Sequence, residues 1–107
     1  MNDTDIIDRL YALIDSRKGG DPSSSYVARL HGKGTRKIAE KMGEEAVETV
    51  AAAVAGDRSE LVAESGDLIF HLMVLWSSTG ITPDDVRAEL ARREGVSGID
   101  EKKSRKS

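Results

Sequence analysis

Residues 35–78, TRKIAEKMGEEAVETVAAAVAGDRSELVAESGDLIFHLMVLWSS, contain two long stretches in which apolar residues recur with the helical period, while the strand period is almost absent. Gly56 and Asp57 interrupt this pattern. They predict one helix over residues 35–55 and a second that begins at residue 58 or 59 and ends near residue 78. Because so short a turn joins them, we expect the two helices to pack antiparallel as a central pair.

Shorter helical patterns flank this pair. Apolar residues at positions 6, 10, 13 and 14 predict a first helix that ends before Lys18. Thr82-Pro83-Asp84-Asp85 is typical of a helix start, and it predicts a last helix that reaches about Glu94. Residues 26–33 show no clean period. The sequence therefore predicts an all-α fold of four helices in one domain over residues 1–94, followed by a disordered basic tail over residues 95–107.

Carboxylates lie beside apolar residues on both central helices. Glu45 and Glu48 form an i, i+3 pair at the edge of the apolar stripe of the first, and Glu64 and Asp67 form a similar pair on the second. Glu48 and Glu64 are each eight residues from Gly56, whereas Glu45 and Asp67 are each eleven residues from it. Because both arms of a helical hairpin rise equally per residue, the four carboxylates should converge.

Converging carboxylates repel one another, by about 4 kcal/mol for two charges 4 Å apart at an intermediate dielectric. A bound cation would remove that cost, and ligands that are all oxygen favour a hard ion, Mg²⁺ or Mn²⁺. The alternative is an ordinary charged surface, since Lys41 stands four residues before Glu45 and can pair with it. The residues alone leave both interpretations open.

Composition narrows the class of protein. The 107 residues include 16 basic and 19 acidic side chains, a formal net charge of −3, which argues against a protein that coats nucleic acid. The chain has no cysteine, which excludes disulfides and thiolate zinc sites. We find no targeting signal and no apolar run long enough to span a membrane. We therefore expect a cytoplasmic protein with neither nucleic acid nor membrane as partner.

The acidic motifs carry a family resemblance. Glu44-Glu45-Ala46-Val47-Glu48 and Glu64-Ser65-Gly66-Asp67 resemble the ExxE…ExxD signature of the MazG-like all-α nucleoside triphosphate pyrophosphohydrolases. The flanking runs 25–30, 34–46 and 67–75 are similar to the phosphoribosyl-ATP pyrophosphatase family, and the resemblance covers about residues 6–93. Two departures are visible. Val27 stands where that family commonly has Thr, which is expected to remove a hydroxyl near the substrate, and Ser65-Gly66 stand where two alanines are usual.

This resemblance implies a MazG-like bundle that assembles as a homodimer and acts on a small-molecule nucleotide. The implied reaction is the second step of histidine biosynthesis, in which phosphoribosyl-ATP and water give phosphoribosyl-AMP and pyrophosphate. It implies Mg²⁺ or Mn²⁺ as cofactor, with Glu45, Glu48, Glu64 and Asp67 as ligands. Glu44 and Glu45 are the expected catalytic residues, and Glu44 is the candidate for positioning or deprotonating the attacking water.

Basic residues cluster in the segment 29–41, where Arg29, Lys33, Arg36, Lys37 and Lys41 are accompanied by one acid, Glu40. This local excess is expected to bind the substrate phosphates. The expected substrate-binding residues are Ser25, Tyr26, Arg29, Lys33, Lys37, Lys41 and His71. For Arg36 a solvated helix start is nearly as good an interpretation, and for His71 a buried structural histidine is the better one.

Two other functions remain open at this point. One is a housekeeping hydrolase of the same fold that acts on dUTP, dCTP or damaged nucleotides, and the other is a non-catalytic helical interaction module. The stretch 68–76 is apolar nearly all round, and such a helix has to be covered on every side. The remaining helices of so short a chain cannot easily surround it, so the sequence also predicts a dimer.

Overall fold

The computed structural model describes residues 5–106; residues 1–4, in the expected domain, and residue 107, in the expected tail, lie outside the described residues. Six helices follow one another without a strand in this part of the chain: α1 (Ile6–Ser16), α2 (Tyr26–Lys33), α3 (Thr35–Ala55), α4 (Arg58–Thr79), α5 (Pro83–Arg93) and α6 (Gly98–Lys106). The all-α fold and the four predicted helices, α1, α3, α4 and α5, are confirmed. None of the described helices is both long and apolar enough to cross a membrane.

The central hairpin turns at two residues. Gly56 has a φ of 74°, a left-handed conformation that suits glycine, and its N–H bonds to the carbonyls of Ala52 and Ala53 at the end of α3. The Asp57 side chain then caps α4 by accepting a hydrogen bond of 3.0 Å from the N–H of Glu60. As a result α3 folds directly back against α4, and these two helices make the most extensive contact in the structure.

The hydrophobic core lies at the end of the hairpin away from the Gly56 turn. The buried members of this core come from the first four helices, and they are Ile14, Leu30, Ile38, Met73 and Val74. Phe70 and Trp76 pack against them and are partly buried. The core thus fixes the start of α3 and the end of α4. The acidic residues lie between this core and the turn, in the middle of the hairpin.

Helix α2 occupies the segment that had no clean period. The Ser25 hydroxyl accepts a hydrogen bond of 3.1 Å from the N–H of Ala28 and so caps the helix. Ala28 and Leu30 are buried. Because glycine and basic residues surround them, this short apolar face gives no recognisable helical period in the sequence. Contacts of α2 with both α3 and α4 place it alongside the hairpin.

Residues 98–106 of the C-terminal segment form α6, and the division into a domain over residues 1–94 and a disordered tail over residues 95–107 stays a prediction. The Ser97 hydroxyl accepts a hydrogen bond of 3.1 Å from the N–H of Asp100, which caps the first turn. Lysine and arginine have good intrinsic helix propensity, so a capped run of them can be helical without an apolar face.

Apolar side chains remain exposed on one face of α3. Val47, Val50 and Val54 are 69%, 61% and 82% exposed, and their spacing of three and four residues puts them on the same side of the helix. On α4 the stretch 68–76 is partly covered within the chain: His71, Met73 and Val74 are buried, whereas five other residues are only partly buried. In that stretch Ile69 is the exposed apolar residue, at 43%.

Candidate active site

Three of the four predicted metal ligands come together across the hairpin. One carboxylate oxygen each from Glu45, Glu48 and Glu64 can be chosen so that all three lie within 4.8 Å of one another. Glu45 is buried although it is charged, Glu64 is partly buried and Glu48 is exposed. We call these three residues the acidic cluster.

Thr49 fixes the two helices at the level of the acidic cluster. Its hydroxyl lies 2.8 Å from the carbonyl oxygen of Glu45 on its own helix and 3.3 Å from the carbonyl oxygen of Glu64 on α4. The backbone of α4 is thereby tied to α3 at the residues that carry the carboxylates. Thr49 is not among the site residues predicted from the sequence, although a small hydroxyl residue on the apolar side of α3 was a sign that it contacts the neighbouring helix.

The surroundings of the Glu64 carboxylate are unfavourable for its negative charge. Its Oε1 atom is buried and has no hydrogen-bond partner among the described residues. Burial first, then the adjacent Glu60 and Glu48 carboxylates and the charge of Asp67, raise the pKa of Glu64 to about 7. An acceptor that is buried and unsatisfied, beside other carboxylates, fits a divalent cation that prefers oxygen ligands.

Asp67 is placed differently from the other predicted ligands. Its side chain is exposed, and it is not one of the three whose oxygens converge. Its charge still acts on Glu64, and its backbone carbonyl lies 2.7 Å from Nδ1 of His71. Its role as a ligand stays a prediction.

A cleft of about 350 Å³ runs between α2 and the first half of α3. Three lysines and two glutamates line it, a net positive charge, so we call it the basic cleft; its lining residues are Tyr26, Leu30, Lys33, Lys37, Glu40, Lys41 and Glu44. Glu40 is held by ion pairs of 3.3 Å to Arg36 and 3.5 Å to Lys37. Four of the predicted substrate-binding residues therefore share this cleft: Tyr26, Lys33, Lys37 and Lys41.

Lys41 joins the basic cleft to the acidic cluster. Its Nζ atom lies 3.6 Å from Oε1 of Glu44 and 3.8 Å from Oε2 of Glu45. The pKa of Lys41 is raised, first by its electrostatic interaction with Tyr26 and further by the charges of Glu45 and Glu44. The site thus has a positive side and a negative side that meet at this ammonium group.

Three predicted substrate-binding residues are outside the lining of the cleft. Ser25 uses its hydroxyl to cap α2. The Arg29 side chain is exposed, and its Nε donates to the carbonyl oxygen of Pro22 at 3.4 Å. His71 is buried at 5% exposure, and its Nε2 lies 2.9 Å from the Tyr26 hydroxyl. Ser25 and His71 support the wall that carries Tyr26.

Val27, the departure from the family pattern, packs against the hydrophobic core and is partly buried. It is not among the residues that line the basic cleft. A threonine at this position would therefore place its side chain against the core, and the expected loss of a hydroxyl near the substrate does not follow from this geometry.

Comparison with known proteins identifies the family of this chain. The family model described as phosphoribosyl-ATP pyrophosphohydrolase matches residues 7–94. The chain is 61% identical over 105 residues to the phosphoribosyl-ATP pyrophosphatase of Novosphingobium aromaticivorans, which covers 98% of each chain. It is 57% identical over 102 residues to that of Azospirillum brasilense, covering 95% of this chain and 92% of the relative. The chain belongs to the phosphoribosyl-ATP pyrophosphohydrolase family.

Proposed function

We propose that this chain hydrolyses the α–β phosphoanhydride of phosphoribosyl-ATP and releases pyrophosphate and phosphoribosyl-AMP, the second step of histidine biosynthesis. The observation that carries the proposal is the junction at Lys41, where the basic cleft meets the acidic cluster. Polyphosphate hydrolysis needs both features, because the substrate is highly anionic and charge develops on its phosphate oxygens during cleavage. The names of the relatives supply the particular substrate.

The acidic cluster is the proposed holder of Mg²⁺ or Mn²⁺, with Glu45, Glu48 and Glu64 as ligands and Asp67 as a fourth. The buried, unpartnered Oε1 of Glu64 supports this assignment. When bound, the ion supplies electrostatic stabilisation of the charge that develops on the phosphate oxygens. This metal-binding role also explains why a chain with so small a core has four acidic residues in its central hairpin.

The lysines of the basic cleft are proposed to bind the substrate phosphates. Lys33 and Lys37 line the cleft away from the acidic cluster, and Lys41 lies at the junction. Ammonium groups act as mobile point charges for phosphate oxygens. Arg29 and Arg36, which lie outside the lining, add to the positive potential that attracts the substrate.

Glu44 is proposed to position the attacking water and to accept its proton. Its side chain is 64% exposed at the rim of the cleft and is held toward the junction by Lys41. In this step the water oxygen forms a bond to phosphorus, its proton passes to the Glu44 carboxylate, and the bridging oxygen leaves with its electron pair on the departing phosphate group. Glu45, the second proposed catalytic residue, contributes as a ligand.

We also propose that the protein works as a homodimer in the cytoplasm, without nucleic acid or membrane as partner. The exposed face of Val47, Val50 and Val54 supports the dimer, because so much apolar surface on one face of a helix is typical of an interface. The enzymatic proposal is tested by measuring pyrophosphate release from phosphoribosyl-ATP against a panel of deoxynucleoside triphosphates, with and without Mg²⁺.

A further inference from the structure

His71 lies beneath the wall of the basic cleft in an aromatic setting. It is 5% exposed, and its ring packs edge-on against Phe70 and Tyr26 with centroids 5.2 Å and 5.9 Å away. Both ring nitrogens have protein partners, so the ring has no free nitrogen to offer to a substrate. Any effect of His71 on the site must therefore pass through one of those partners.

The two hydrogen bonds fix the direction of the protons. Nδ1 lies 2.7 Å from the backbone carbonyl oxygen of Asp67, which can only accept, so Nδ1 must carry a proton and donate it. In the neutral ring Nε2 is then an acceptor. The Tyr26 hydroxyl, 2.9 Å from Nε2, must donate to it.

The proton of Tyr26 consequently points away from the basic cleft, although its side chain lines that cleft and is 44% exposed. The phenol oxygen is left with lone pairs alone on the cleft side, and it can accept but not donate there. Phosphate oxygens are also acceptors, so they cannot form a hydrogen bond with this phenol oxygen. A sugar hydroxyl is a donor and matches it.

We propose that His71 is a positioning residue that holds the Tyr26 hydroxyl proton away from the basic cleft, so that the phenol oxygen accepts a hydrogen bond from a sugar hydroxyl of the nucleotide substrate. The inference rests on the proposed function for the identity of that substrate. Stacking of the Tyr26 ring on Phe70, with centroids 6.5 Å apart and planes 19° apart, holds the phenol in place for this bond.

A double-mutant cycle between the two residues tests the proposal. Tyr26→Phe and His71→Leu should each raise KM for phosphoribosyl-ATP by about three- to tenfold with kcat nearly unchanged, since one ground-state hydrogen bond is lost. In the Tyr26→Phe background, His71→Leu should raise KM less than about twofold further. His71→Gln, whose amide can offer an acceptor to the phenol, should recover part of the loss. Additive effects would overturn the proposal.

Control variants separate positioning from general damage. Tyr11→Phe removes a hydroxyl that donates to the carbonyl oxygen of Ile81 at 2.7 Å, outside the site, and should leave the kinetics unchanged. In a Lys41→Met background Tyr26→Phe should still raise KM, because the donor belongs to the substrate. If that effect vanishes, the phenol accepts from Lys41 instead and the sugar contact is wrong.

Nitrogen-15 NMR of the unliganded wild-type protein gives a readout that needs no activity and no stable variant. The His71 ring should show a proton on Nδ1, which faces the Asp67 carbonyl oxygen, and a non-protonated Nε2, which faces the Tyr26 hydroxyl. A proton on Nε2 would overturn the proposal. If the wild type fails to hydrolyse phosphoribosyl-ATP, the proposed function fails, whereas the NMR result still decides the orientation of the Tyr26 hydroxyl.

Discussion

Nζ of Lys41 lies 3.8 Å from Oε2 of the buried Glu45, so one ammonium group touches both the acidic cluster and the basic cleft. The two residues are one helical turn apart on α3. Their separation therefore depends on local helix geometry and is insensitive to how α2 or α4 packs. A phosphate group bound by Lys41 would be delivered next to the carboxylates proposed to hold the metal ion.

Removal of the cleft lysines should weaken the use of substrate. We expect Lys41→Ala to lower kcat/KM by about 10- to 100-fold, as is typical when a hydrogen bond to a charged group is lost. Lys37→Ala should raise KM with a smaller effect on kcat, and neither variant should change the melting temperature much. Steady-state kinetics with Lys18→Ala, a surface lysine paired with Asp15, as control will check this. Normal kinetics in both cleft variants would make the basic cleft an ordinary solvated surface.

Neutralisation of a proposed ligand should remove turnover and keep the fold. Glu45→Gln and Asp67→Asn should each lower kcat by more than about 100-fold, because loss of even an outer partner of a metal ligand costs about 10- to 100-fold. The melting temperature should stay the same or rise, since a repelling charge has been removed. Glu94→Gln at the end of α5 is the matched control. Near-normal turnover in Asp67→Asn would take that residue out of the ligand set, and near-normal turnover in Glu45→Gln would contradict the site.

The metal-free protein should become less stable as the pH rises from about 4.5 through about 7. The folded pKa of Glu64 is about 7, above its ordinary value of 4.5, so in this range the folded state holds a proton that the unfolded state has lost. Thermal melts in a chelator across this pH range will measure the effect. Glu64→Gln should make the melting temperature less dependent on pH in this range. If the slope of melting temperature against pH is unchanged in that variant, other groups cause the pH dependence.

Millimolar Mg²⁺ should raise the melting temperature at pH 8 by about 5 °C or more, because it binds the folded state. The rise should be smaller at pH 6, where Glu64 holds more of its proton and must lose it to bind the ion. Glu45→Gln should reduce the rise at both pH values. An absent shift in the wild type would argue against a preformed metal site.

Dissociation of the proposed homodimer should be coupled to loss of structure. The melting temperature should rise with protein concentration over a hundredfold range, and light scattering should report twice the chain mass. Val50→Lys on the exposed face of α3 should favour the monomer, while Leu90→Lys, which replaces an equally exposed apolar residue on α5, should not. A folded monomer whose melting temperature is independent of concentration would contradict the dimer.

The central hairpin could be predicted from sequence because its signals are local. Gly56 ends one helix and Asp57 caps the next, and the equal rise of both arms brings Glu48 and Glu64 to one level. The same counting put Glu45 at the edge of the apolar stripe, and it is buried. Periodicity and caps suffice where both halves of a contact lie within one hairpin.

The sequence could not predict features that depend on packing between distant segments. The apolar face of α2 comprises too few residues to produce a period, so its docking beside the hairpin was not visible. The hydrogen bond between Tyr26 and His71 joins residues 45 positions apart, and no local sequence pattern predicts it. The position of the Asp67 carboxylate outside the acidic cluster likewise depends on the side-chain rotamer, which residue spacing does not set.

The most direct test is a competition in which the purified protein receives phosphoribosyl-ATP together with equimolar dATP, dCTP and dUTP in Mg²⁺, and each product is quantified over time. The account predicts pyrophosphate and phosphoribosyl-AMP from phosphoribosyl-ATP, with kcat/KM at least about 100-fold above that for any deoxynucleotide, a difference of about 2.7 kcal/mol. The Glu45→Gln variant should form neither product. Preferential hydrolysis of a deoxynucleotide, or wild-type activity in the Glu45→Gln variant, would contradict the proposed function and its site.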